Sequence, residues 1–91
     1  MLNVDKRLEQ KIGEKIQEAL TNIDEINQIA RSLDEKRADS QHFKYGIIIG
    51  RLYNSFYYQS RRILKRNPTK EEFSEFLGML SQKQSEILKG L

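Results

Sequence analysis

Seven Lys or Arg residues lie between Asp39 and Glu71 with no acid among them: Lys44, Arg51, Arg61, Arg62, Lys65, Arg66 and Lys70. Tyr45, Tyr53, Tyr57 and Tyr58 are interleaved with them. Cations one or two turns apart on a helix can follow phosphates, and an exposed aromatic ring can stack on a base, so this segment points to polyanion binding. The flanks lean the other way. Residues 1–40 hold seven basic and nine acidic side chains, and residues 71–91 hold two basic and four acidic, so a net charge of +3 conceals a strongly basic middle. Internal pairing is the competing reading, with Glu14, Glu18, Asp24, Glu25, Asp34 and Glu35 of the first segment as partners for those cations.

Other chemistry is sparse. His42 is the only histidine and there is no cysteine, which removes disulfides, thiolate catalysis and cysteine-ligated metal sites. A lone histidine without a nucleophile motif or a ligand cluster supports neither a triad nor a metal centre. The expectation is a protein that is not an enzyme and has no cofactor and no metal. The start, MLNVDKRLEQ, lacks the apolar core of a secretory signal, and the longest apolar run, residues 45–50, is far short of the ~20 residues that span a bilayer. These features predict a chain without a membrane span, working in the cytoplasm.

The elements that must position the basic segment read as helices. Leu8, Ile12, Ile16, Ala19, Ile23, Ile26, Ala30 and Leu33 recur at steps of mostly three and four, with Leu20 and Ile29 broadening the stripe. That spacing predicts one long helix over ~4–37, about 50 Å at 1.5 Å per residue, with Asn3 or Asp5 as its cap. A second helix over ~41–66 follows, capped by Asp39 or Ser40. At 100° per residue, Tyr45, Gly46, Ile49, Leu52, Tyr53, Phe56, Tyr57, Ile63 and Leu64 cover one side. Lys44, Arg51, Ser55, Tyr58, Arg62 and Arg66 gather within about 40° of an opposite direction, interrupted by Ile48. Tyr45, Tyr53 and Tyr57 are thus expected in the core and Tyr58 in solvent. Asn67-Pro68-Thr69 breaks the chain, and Thr69 with Glu72 opens a third, amphipathic helix over ~70–90 with a capping box.

Gly46 and Gly50 form a G-x-x-x-G inside the second helix. Two interior glycines are costly, and close approach of a neighbouring helix is the usual reason for them. The reading is therefore an all-α, three-helix arrangement in one domain, 1–91, packing as a helical-bundle homodimer. Gly46, Gly50, Ile12, Ile16, Ile23, Ile26 and Leu33 are the candidate packing residues. A chain of 91 residues buries a thin core, which favours self-association. The segment Arg51-Leu52-Tyr53-Asn54-Ser55-Phe56-Tyr57, with Arg62 after it, loosely resembles the tyrosine-bearing helix of HEPN-type helical domains over a quarter of the chain. Ribonucleases of that family use an Arg–His pair four to six residues apart, and no His follows an Arg at that spacing here. The functional expectation is a non-enzymatic helical interaction or assembly module. The alternative is a sequence-tolerant DNA- or RNA-binding protein using Lys44, Arg51, Tyr58, Arg61, Arg62, Lys65 and Arg66.

Overall fold

The computed structural model describes residues 5–91, and within them the chain is all-helical. Four α-helices follow in order: α1 (Lys6–Thr21), α2 (Ile23–Leu33), α3 (Gln41–Leu64) and α4 (Lys70–Lys89), with a 3-10 turn over Glu35–Arg37. Asp5 caps α1, its carboxylate accepting from the Arg7 N–H at 2.8 Å. The other expected cap, Asn3, and the expected start at Val4 lie outside the described residues.

The single helix expected over 4–37 is two helices, broken at Asn22 (φ −100°, ψ 41°). The cause is local. Thr21 Oγ1 donates back to the Gln17 carbonyl at 2.9 Å, and Asn22 Nδ2 donates to the Glu18 carbonyl at 3.1 Å. Such side chains offer the backbone an alternative partner and bend or end a helix. A straight 34-residue helix would measure ~50 Å, longer than the whole molecule, whose greatest extent is 39 Å. The break lets the two pieces follow α3 in sequence. Leu33, read as a packing residue, is the last residue of α2 and is 69% exposed, because the chain turns extended at Asp34 (φ −156°) immediately after it.

Helix α3 is the centre of the molecule, packed by α1, α2 and α4. It runs antiparallel to α4: Gln41 at its start donates to the Leu88 carbonyl at 3.0 Å, and further along Phe56 stacks on Phe76 with ring centroids 4.2 Å apart. Arg51 of α3 reaches Glu18 and Glu25, while Arg62 borders a groove with Arg7 and Lys11, so α3 is also antiparallel to the α1–α2 pair. Helices α1 and α4 run side by side in the same direction. Gln17 Nε2 donates to Glu86 Oε1 at 2.7 Å, and at the far end Gly90 lies so close to Leu20 that a Cβ there would come within 2.6 Å of its Cδ2.

The buried face of α3 carries Ile48, Leu52 and Phe56, with Gln59 and Ser60. They meet Leu8, Ile12 and Ile16 of α1, Ile26 of α2, and Phe76, Leu80 and Ile87 of α4. This face is rotated by about 60° from the one predicted at 100° per residue. Ile48, which interrupted the basic stripe in the sequence, is fully buried. The stripe consequently borders the core instead of opposing it, and the other edge of the expected apolar side turns outward. Tyr53, expected in the core, is 46% exposed; Tyr45 and Tyr57 are half-buried; Tyr58, expected in solvent, is 57% exposed.

Candidate functional site

The candidate cations of the basic segment divide into two groups, with Lys44 apart from both. Arg51 is held from two helices: Nη1 lies 3.0 Å from Glu25 Oε1 of α2, and Nη2 lies 3.7 Å from Glu18 Oε1 of α1. It therefore ties α3 across the α1–α2 break, as internal pairing predicts. Arg66 is committed at the other end. Its two terminal nitrogens engage both Glu72 oxygens, at 2.7 and 3.1 Å, and Nη1 also donates to the Asn67 carbonyl. Arg61 reaches the Asn67 side chain at 3.4 Å.

The Arg66–Glu72 pair closes the Pro68 turn together with the predicted capping box. Thr69 Oγ1 accepts from the Glu72 N–H at 3.1 Å, and Glu72 Oε1 accepts from the Thr69 N–H at 2.8 Å. Glu72 is 9% exposed. The Arg66 guanidinium and then the Thr69 N–H hold its carboxyl at about 2, against an ordinary value of 4.5, although burial pushes the other way. Charge-assisted, bidentate geometry of this kind favours the carboxylate strongly.

Arg62 and Lys65 form the second group. Both are exposed, and no carboxylate of the described residues pairs with either. They line one wall of a groove of about 540 Å³ between α3 and α1, whose other wall carries Arg7, Lys11 and Glu14. Lys65 ends α3 in the left-handed region (φ 61°, ψ 26°), a conformation that suits glycine better than lysine. Tyr58 stands one turn before Arg62 on the same edge of α3. Lys44, half-buried near the other end of α3, belongs to neither the groove nor a salt bridge of the described residues.

Arg7 and Lys11 were not among the sequence candidates, since they sit in the acidic first segment. One signal was present. Arg7, Lys11, Glu14 and Glu18 share a helix face with its cations at the amino end and its acids at the carboxyl end. Only the antiparallel placement of α3 then sets cation against cation at one end and cation against acid at the other.

A third feature is apolar. Gly46 and Gly50 are exposed, and a Cβ on either meets no atom of the described residues within 4 Å. They lie on the outer side of α3, continuous with Tyr53 and Tyr57, which cluster with Phe73 of α4 at centroid distances of 6.0 and 6.5 Å. Leu77, one turn beyond Phe73, is 47% exposed. The other packing candidates serve the core of the single chain: Ile12, Ile16 and Ile26 are buried by it and Ile23 is half-buried. Among the described residues no His, Cys, Asp or Glu cluster could hold a metal ion, and no helix is long and apolar enough to cross a membrane.

Comparison with protein-family models, curated proteins and solved structures returns no match to this chain.

Proposed function

We propose that this chain is a non-enzymatic helical assembly module that self-associates through the outer face of α3 and α4. One observation carries the reading: among the described residues nothing packs against the Cα side of Gly46 or Gly50 where a Cβ would stand, yet each costs its helix about 1 kcal/mol relative to alanine. Small residues at i and i+4 let a second helix backbone approach closely. The exposed Tyr53 and Leu77 beside them supply the kind of apolar and aromatic surface that association buries. A second copy offers the same strip, so a two-fold contact along α3 is self-complementary.

Sedimentation equilibrium tests it. The wild-type chain is expected at twice its 10.8 kDa mass at tens of micromolar. Gly46→Leu/Gly50→Leu, which fills the strip with side chains the monomer accommodates in open solvent, is expected at the single-chain mass with an unchanged helical spectrum. A wild-type chain that stays monomeric at several hundred micromolar removes the reading.

A further inference from the structure

Four cations from two helices converge on the α1–α3 groove against a single carboxylate. Arg62 and Lys65 stand on one wall, Arg7 and Lys11 on the other, with Glu14 between. Glu14 is 3.4 Å from Lys11 and Arg7 is 3.1 Å from Asp5, so local acids offset part of the charge on the α1 wall and none on the α3 wall. The same pair of helices handles charge differently at its other end, where Arg51 meets Glu18 and Glu25. Bringing like charges together raises the energy of the folded chain, and an anion in the groove relieves that repulsion. Another cavity, about 570 Å³ between α1 and α4, is less biased: Lys6 and Lys83 share it with Glu9 and uncharged side chains.

Two further observations bear on the ligand. Lys65 occupies a left-handed helix-end position where glycine would be unstrained, so the cationic side chain there comes with a conformational cost. Tyr58, 57% exposed, stands one turn from Arg62 on the edge of α3 that leads into the groove. A row of cations with an open aromatic ring at its end matches a phosphodiester chain whose bases are unpaired, since a duplex keeps its base faces stacked inside.

We infer that the α1–α3 groove binds the backbone of a single-stranded nucleic acid, with Arg7, Lys11, Arg62 and Lys65 on the phosphates and Tyr58 stacked on a base. This site is independent of the self-association face and differs from the simple stripe along α3. Arg51 and Arg66, committed to Glu25 and Glu72, are not its ligands.

Fluorescence polarisation with labelled 20-nucleotide oligo-dT and oligo-rU, on the full chain, tests it. If three or four phosphates are neutralised, affinity falls about 20- to 50-fold between 50 and 200 mM salt. Arg62→Glu/Lys65→Glu should weaken binding at least tenfold at 50 mM salt and flatten that salt dependence. Lys36→Glu/Lys89→Glu, an equal charge change outside the groove, should shift it no more than about twofold. Tyr58→Ala should cost roughly tenfold while leaving the salt slope unchanged, as loss of one stacked base predicts. Circular dichroism melts confirm that each variant is folded. The inference is overturned by absence of binding at 50 mM salt, by equal loss in both double variants, or by duplex DNA binding more tightly than the single strand. It is also overturned if inorganic polyphosphate competes fully while Tyr58→Ala binds as wild type, which would make the groove a polyphosphate site.

Discussion

At the scale of single residues, the Pro68 turn gathers a dense set of polar interactions, and Glu72 is its centre. Glu72→Gln keeps a side chain able to complete the capping box but removes the charge that Arg66 grips. Because the folded-state value lies near 2, below the ordinary 4.5, the carboxylate stabilises the fold fully above about pH 4.5 and loses that effect as pH falls through 2. Arg66 is half exposed, so the screened contribution is about 1–2 kcal/mol. Urea titrations should show Glu72→Gln less stable than wild type by that amount at pH 7, with the gap closing between pH 4.5 and pH 2. Lys65 provides the opposite case. Lys65→Gly removes the left-handed strain and should raise stability by about 0.5–1 kcal/mol in the same titration, net of the greater freedom glycine has when unfolded. Both the cap and the proline were legible in the sequence because they act over three residues. The Arg66 clamp was not, because an arginine on a basic stripe gives no sign of which way its side chain will turn.

At the scale of elements, periodicity located the helices and missed where the first one breaks. The apolar steps run through Asn22 without a change of phase, because α1 and α2 both face α3 and the same stripe serves both. The break is written in two polar side chains, Thr21 and Asn22, that carry no hydropathy signal. Helix α3 shows the converse limit. Its apolar residues cover too wide an arc to fix the buried direction, and Ile48, outside the expected apolar side, is buried together with Leu52 and Phe56. The outward turn of Gly46 and Gly50 yields an element-level expectation that accompanies the test of self-association. Gly46→Ala and Gly50→Ala each remove a helix-interior glycine facing open space, so each should stabilise the isolated chain by about 0.5–1 kcal/mol in thermal melts. If the strip is buried against a second copy, the double alanine variant should lose part of that gain at high protein concentration while keeping it when dilute.

At the scale of the whole molecule, the fold is a core of one helix surrounded by three, and its centre is the stacked pair Phe56–Phe76 with both rings fully buried. Truncation of an aromatic in such a position removes about 3–5 kcal/mol. For a small domain whose total stability is of order 5–10 kcal/mol, Phe76→Ala should therefore be partly unfolded at 37 °C, visible as a lowered and broadened melting transition. The charge distribution is also a property of the whole. Arg51 locks the bent α1–α2 pair onto α3 with two acids, while the opposite end of the same interface is left cationic. Neither end can be assigned from one helix alone.

The sequence by itself determined the all-α class, the capping box at Thr69, the proline break between α3 and α4, and the basic character of the middle segment, and it narrowed the other caps to Asn3 or Asp5 and Asp39 or Ser40, of which Asp5 and Ser40 serve. Those features depend on neighbours within one or two helical turns, where spacing and side-chain chemistry are sufficient. Only the tertiary structure decided that Arg51 and Arg66 are spoken for, that Arg62 and Lys65 are joined by Arg7 and Lys11, and that Gly46, Gly50 and Tyr53 face outward. Each of those outcomes depends on the rotation of α3 about its axis and on the direction of the helices packed against it. That rotation is set by the summed burial of Ile48, Leu52 and Phe56 against three other helices, and no local window of the chain contains it.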